Sequence, residues 1–288
     1  MQCIEVERLT HVYLPGTPLE NVALRDIELT VHEGEFIALV GAAGSGKSTL
    51  VQHFNGLLLP TAGRVRVFGT DTTDKKHRQG LWSQVGLVFQ FPERQIFSAT
   101  VFDDIAFGPR NMGWDRAKVA GRVKEALALV GLPEAIQTAD PATLSGGILR
   151  RVAIAGVLVM RPRVLVLDEP GAGLEPRARQ FILAGLKDLQ VRLGTTVILI
   201  THFLEDAAAY ADRVVVLKRG ELLCDGKTRE VLSQRQVLQE AGLKAPFAVE
   251  LAQRLNAAGI NLPAVPLTLA EAARLLCGLM QPPEPGRR

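Results

Sequence analysis

The stretch GAAGSGKST at residues 41–49 constrains this chain more than any other. FIALV before it is an apolar run that reads as a buried strand, and STLVQHF reads as a helix. A glycine-rich turn between strand and helix, closing on Lys-Ser, is a phosphate cradle. Gly41, Gly44 and Gly46 let the backbone curl until its N–H groups converge on phosphate oxygens, with Ser45 and Thr49 in the same turn. Lys47 brings a mobile positive charge to the β- and γ-phosphates, and Ser48 offers a hydroxyl to Mg2+. A turn that binds nothing has no use for strand, lysine and serine in this register. This is a nucleotide site.

Around it, VRVFG, VGLVF, VLVLD, TVILIT and RVVVL are short runs rich in Val, Leu, Ile and Phe, expected as buried strands. Helix-period segments lie between several of them, so the expected fold is α/β with a mostly parallel sheet. Residues 92–161 break the rhythm and read as a helical insertion. There Asp115 suits an N-cap, Val119, Val123, Leu127 and Val130 keep helical spacing, and Gly131 closes the element. Arg219-Gly220 marks a hairpin near the end of this domain, which spans residues 1–233. Residues 234–288 read as a small, mainly α C-terminal domain. Pro246 opens one of its helices, and Thr268 with Glu271 caps another that ends near Met280. The final QPPEPGRR is expected to be disordered.

Composition excludes some roles. A net charge of +3 over 288 residues is too weak for a nucleic-acid binder, though it leaves contact with an anionic membrane surface open. No apolar run reaches the roughly 18 residues a spanning helix needs. The start, MQCIEVERL, lacks a secretory core. Cys3, Cys224 and Cys277 share no metal-ligand spacing and read as reduced thiols. The expectation is a soluble protein of the cell interior.

Two further stretches carry chemistry. VLVLDEP, residues 164–170, ends an apolar strand in two carboxylates. Asp168 suits Mg2+ held through water, and Glu169, pointing elsewhere, suits an attacking water. LSGGILRRVAIAG, residues 144–156, sets a serine and two glycines at the start of an apolar helix, a second place where an anion can be captured. One chain therefore carries two phosphate devices.

In order, GAAGSGKST, Gln90, LSGG, VLVLDEP, GAGLEP and His202 resemble the motif set of ABC-type ATPases, over residues 1 to about 232. The resemblance implies a RecA-like P-loop core with a helical subdomain, and head-to-tail dimers that sandwich two ATP molecules. Ser145, Gly146 and Gly147 then serve the nucleotide held by a partner's P-loop, which accounts for the second device. It also implies that Tyr13 stacks on adenine, Gln90 reaches Mg2+ and the water, and Glu169 and His202 act in hydrolysis. QFPERQIFSATVFDDIAFGPRNMG, HVYLPGTPLENVAL and LSGGILRRVAIAGVLVM are similar to energy-coupling factor transporter ATPases of the A-prime type. That implies an import motor for a vitamin or a transition-metal ion, peripheral on the cytoplasmic face of the cell membrane. Its partners are a homologous ATPase subunit, a membrane coupling subunit and a substrate-binding membrane subunit. Glu93 matches the acidic position that meets an arginine of the coupling subunit, and the C-terminal helices match a dimerisation segment.

Three departures stand out. Ile148 replaces the usual Gln after LSGG, and Gly171-Ala172-Gly173-Leu174-Glu175 replaces T-A-G-L-D at its first and last positions. They keep open a catalytically weak dimer partner. Intact Lys47, Asp168, Glu169 and His202 instead imply an asymmetric dimer in which the site on this P-loop hydrolyses at least as well as the other. A non-transport ABC ATPase is the other alternative. Against it stand the single nucleotide domain, the absence of a coiled-coil insert and the lack of a basic stripe.

Overall fold

Among the described residues, ten strands form two sheets. The computed structural model describes residues 1–280, and the tail expected to be disordered lies outside the described residues. The first sheet is antiparallel and has four strands: β1 (Gln2–Tyr13), β2 (Asn21–His32), β4 (Ala62–Val67) and β5 (Thr70–Asp71), in the order β2-β1-β4-β5. The second runs β10-β9-β3-β8-β7-β6. It contains β3 (Phe36–Val40), β6 (Val85–Val88), β7 (Val164–Asp168), β8 (Thr196–Ile200), β9 (Arg213–Lys218) and β10 (Glu221–Lys227). All its pairings are parallel except β9–β10.

The central strands are apolar along their length because both faces are covered. Ile37, Leu39, Val166, Ile198 and Val215 face the antiparallel sheet together with Leu50 and Phe54 of α1 (Lys47–Phe54) and Leu81 of α2 (Lys75–Gln84). Their neighbours Phe36, Leu165, Leu167, Val197 and Leu199 face the other way. That side is covered by α3 (Val101–Asn111), α4 (Arg116–Leu129), α5 (Gly146–Leu158) and α6 (Pro176–Leu193). Ala38, Val40, Val214 and Val216 pack against α7 (Leu204–Tyr210), α8 (Thr228–Leu232) and α9 (Arg235–Glu240).

The insertion is helical, as its spacing predicts. Asp115 accepts a hydrogen bond from the Lys118 N–H at 2.9 Å, Val119, Val123 and Leu127 are buried on one face, and Gly131 follows with φ 68°. The hairpin turn is also where the sequence places it, with Arg219 and Gly220 both at positive φ. One expectation is corrected: VRVFG belongs to the antiparallel sheet, paired with β1, and not to the parallel one. The sequence reading lacks β1 and β2 altogether. Register shifts break their alternation, and Arg8 and Asp26 sit at φ 45° and 49°, so no clean period of two survives.

Beyond residue 234 the packing stays continuous with the sheet, since Leu238 and Ala241 share a cluster with Val214 and Val216. Two helices follow, α10 (Phe247–Ala257) with Pro246 at its N-cap and α11 (Leu269–Met280). Thr268 accepts from the Glu271 N–H, and the Glu271 carboxylate accepts from Leu267 N–H, a capping box displaced by one residue. An Arg229–Glu271 ion pair at 2.7 Å fastens α11 to α8. The three cysteines are free. Among the described residues, no helix is long and apolar enough to cross a membrane.

Candidate functional site

The cradle sits at the carboxyl end of β3, the central strand, where α1 begins. Its glycines are required by the fold itself. A Cβ on Gly41 would lie 2.3 Å from the Leu217 carbonyl oxygen, and one on Gly46 would lie 2.7 Å from that of Ala23. The hairpin turn holds the loop from outside, Gly220 N–H donating to the Ser45 carbonyl at 3.0 Å. A cleft of about 430 Å3 opens here, lined by Gly44 to Thr49, Tyr13, Val22, Ala23 and Arg219. Tyr13 is 36% exposed on the cleft wall, with its hydroxyl 3.2 Å from that of Thr49 and its ring edge-on to His11.

Lys47 is buried and donates to the carbonyls of Gly41 and Ala42 at 2.8 and 2.9 Å. Burial pushes its ammonium down, against the pull of Glu169 and Asp168 nearby. Burial likewise pushes the Asp168 carboxyl up, although Ser48 donates a hydrogen bond to it at 2.5 Å. Each charged form lacks a full counter-charge. A triphosphate beside Lys47 and a cation beside Ser48 and Asp168 relieve both. Two hard oxygen donors side by side fit Mg2+, which keeps much of its water. Among the described residues, no group of three or more His, Cys, Asp or Glu gathers as a metal site, so the donors on offer stay few.

Glu169 leaves β7 at φ 50°, in the left-handed region, with its N–H fixed to the Ile200 carbonyl at 3.0 Å. The turn swings its side chain away from Asp168 and onto His202, whose Nδ1 is 3.0 Å from Oε1. Gln90 stands exposed two residues beyond β6, on the strand next to β7. It is not hydrogen-bonded to Ser48 or Asp168. The structure thus joins Ser48 with Asp168 and Glu169 with His202, and leaves Gln90 beside them.

The second device is built differently. Ser145 is the N-cap of α5, exposed and without a side-chain capping bond. A Cβ on Gly146 would meet nothing within 4 Å, and one on Gly147 only Leu174 at 3.7 Å. Nothing inside the chain requires glycine there. Little more than one turn along α5, Arg150 is only 6% exposed and forks onto Glu93 with bonds of 3.0 and 3.1 Å. Burial alone would raise the Glu93 carboxyl, but these bonds outweigh it and hold it below the usual range. The arginine on Glu93 in this chain is therefore its own. Ile148 and Leu174 pack against the helical core.

Sequence reasoning missed several neighbours of these residues. His53 of α1 is fully buried, its Nε2 3.1 Å from Nδ1 of His11, whose ring in turn meets that of Tyr13 edge-on. Burial, with His11 alongside, brings His53 down to about 4. Arg219, marked only as a turn residue, lies on the cleft wall, and Arg150 carries no local signal. The only local signal was HVY, with His11 two residues before Tyr13.

Fold and site together define a P-loop nucleoside triphosphatase with a helical insertion between its two carboxylate-bearing and phosphate-binding strands. The profile of the ABC transporter family matches residues 24–172. An energy-coupling factor transporter ATP-binding protein, EcfA2, of Clostridium perfringens (strain 13 / Type A) is 44% identical over 96% of this chain and 98% of its own length. That of Symbiobacterium thermophilum is 48% identical over 96% of each. Among solved structures, CbiO1 of Clostridium perfringens, part of the ABC transporter complex CbiONQ, superposes with a TM-score of 0.73 at 37% identity, covering 90% of this chain and 97% of CbiO1. The ATP-binding cassette MJ0796, a dimer bound to ADP and Pi, gives 0.72 at 29% identity, covering 78% and 99%. The chain belongs to the ABC transporter family, among the energy-coupling factor transporter ATP-binding proteins.

Proposed function

We propose that this chain is an ATP-hydrolysing motor subunit of an energy-coupling factor importer, working as a dimer with a homologous ATPase beneath membrane subunits. The observation that carries this reading is the contrast between two sets of glycines. In the cradle Gly41 and Gly46 are hemmed in by their own chain and Gly44 sits at φ 73°, whereas Gly146 has an ordinary φ and open space where a side chain would go. A helix start with bare N–H groups and no internal partner suits a phosphate brought by another subunit.

In this reading Tyr13 stacks on adenine, and the loop from Gly41 to Thr49 surrounds the phosphates with Lys47 on the β- and γ-groups. Ser48, Asp168 and Gln90 would hold Mg2+, which would neutralise charge on the transferred phosphoryl group. Glu169 orients the attacking water, and His202, hydrogen-bonded to it, faces the γ-phosphate. Ser145, Gly146 and Gly147 close over the partner's nucleotide. ATP then holds two surfaces together, and its hydrolysis releases them, so binding energy becomes subunit motion. Glu93, tied to Arg150, links the face that meets the coupling subunit to the signature helix. A separate membrane subunit selects the vitamin or metal ion. The C-terminal segment from about residue 234 adds dimer contacts, and the chain sits on the cytoplasmic face of the membrane.

Trapped nucleotide in paired mutants tests the arrangement. Lys47→Ala combined with a signature mutation in the partner damages one composite site twice and spares the other, so one nucleotide per dimer is expected. Lys47→Ala combined with Gly146→Ala in the same chain damages both sites, and none is expected. The reverse pattern would place each signature on its own P-loop and end this reading.

A further inference from the structure

Gly171 follows the two carboxylates and has an ordinary backbone, with no positive φ that would call for glycine. Space explains it. A Cβ there would lie 2.6 Å from Cδ and 2.8 Å from Cγ of Arg179, on the first turns of α6. That arginine cannot simply swing aside. Its Nε and a terminal nitrogen both bond one oxygen of Asp206, at 2.8 and 2.6 Å, in a pair whose side chains are 18% and 14% exposed. Its guanidinium also lies 3.7 Å from the centre of the Phe203 ring. Phe203 in turn stacks on His202, with ring centres 4.1 Å apart and planes tilted by 36°. The His202 imidazole is the group that holds Glu169.

We propose that Arg179 is a positioning residue for hydrolysis, and that Gly171 is the gap that lets it act. The chain of contact runs from the loop after Glu169, through the Arg179 plane, to the Phe203 ring and so to the imidazole. An arginine plane on an aromatic face is attractive and also directional. The ion pair with Asp206 fixes that plane, and the plane fixes the ring beside His202. Asp206 therefore serves as the anchor of a stack and not only as a counter-charge. A lysine at 179 keeps the charge on Asp206 but supplies no plane.

This inference rests on the reading of Glu169 and His202 as the hydrolytic pair, which Glu169→Gln tests separately by loss of turnover. The test here uses the chain assembled with its ATPase partner, and measures kcat, the KM for ATP and the thermal midpoint. Arg179→Lys is expected to lower kcat about tenfold, with KM and midpoint little changed, since small misplacements of reacting groups carry losses of this order. Gly171→Ala is expected to lower kcat similarly in the native background, yet to add nothing once Arg179 is already alanine. Phe203→Leu is expected to match Arg179→Lys. Full kcat in Arg179→Lys would overturn the stack. Additive losses from Gly171→Ala and Arg179→Ala would overturn the gap, and a fall in midpoint with unchanged kcat would reduce Arg179 to a structural brace. Should Glu169→Gln turn over normally, the hydrolytic reading itself fails, whatever the arginine does.

Discussion

The cradle and the signature helix are both glycine-bearing helix starts, but they answer to different neighbours. At the cradle, added methyl groups would strike backbone oxygens of the same chain, and a buried lysine already spends its donors on loop carbonyls. At the signature, the N-cap serine has no capping bond and the first glycine faces space. The lesson is about where a requirement comes from. A glycine crowded by its own fold is explained inside the molecule, whereas an uncrowded one at an uncapped helix start leaves bare N–H groups open to an outside anion.

The largest test of that contrast is catalytic. Glu169→Gln removes the carboxylate that His202 holds, and turnover of the dimer is expected to fall at least ~100-fold while ATP still binds. The matching change in the partner should cost no more, because the site on this chain's P-loop carries its full set. A silent Glu169→Gln beside a dead partner mutant would reverse the asymmetry. Next comes the glycine pair. Gly41→Ala is expected to destabilise the isolated chain by about 3 kcal/mol, since backbone must move to admit the methyl. Gly146→Ala should leave its thermal midpoint unchanged and strike only the turnover of the dimer. Equal loss of midpoint in both would erase the distinction.

A smaller effect lies beneath the cradle. His53 is held down to about 4 against an ordinary 6.5, so the unfolded chain takes up its proton first as pH falls. Its contribution is whole above pH 6.5 and drains away towards pH 4, on the order of 3 kcal/mol in total. Urea unfolding across that range should show the slope in the native chain and a flatter one in His53→Phe. Smallest is the coupling face. Glu93→Ala should lower transport more than it lowers ATPase of the isolated dimer, by about fivefold. Equal losses would leave Glu93 as a mere clasp for Arg150.

What the sequence made legible was local. The cradle, the two carboxylates, the Arg219-Gly220 turn and the Asp115 and Thr268 caps each announce themselves within a few residues, because turn and cap chemistry acts at that range. What stayed hidden joins distant segments. Arg150 meets Glu93 across 57 positions, Arg179 meets Asp206 across 27, and His53 meets His11 across 42. No spacing rule reaches that far. The antiparallel sheet was lost for another reason: its bulges scramble the alternation that marks a half-buried strand. The resemblance to a family marked Glu93 for an outside arginine, and the fold supplies one of its own.

The position of β3 also dictates when the nucleotide site comes into being during synthesis. Its two flanking strands, β8 and β9, begin at Thr196 and Arg213, and the turn that clasps Ser45 ends at Gly220. A ribosome adding about 5–20 residues per second therefore leaves a complete Lys-Ser motif behind an unpaired, wholly apolar strand for roughly 10–30 s before its neighbours are made. Until then the growing polypeptide carries the letters of a phosphate cradle and none of its shape.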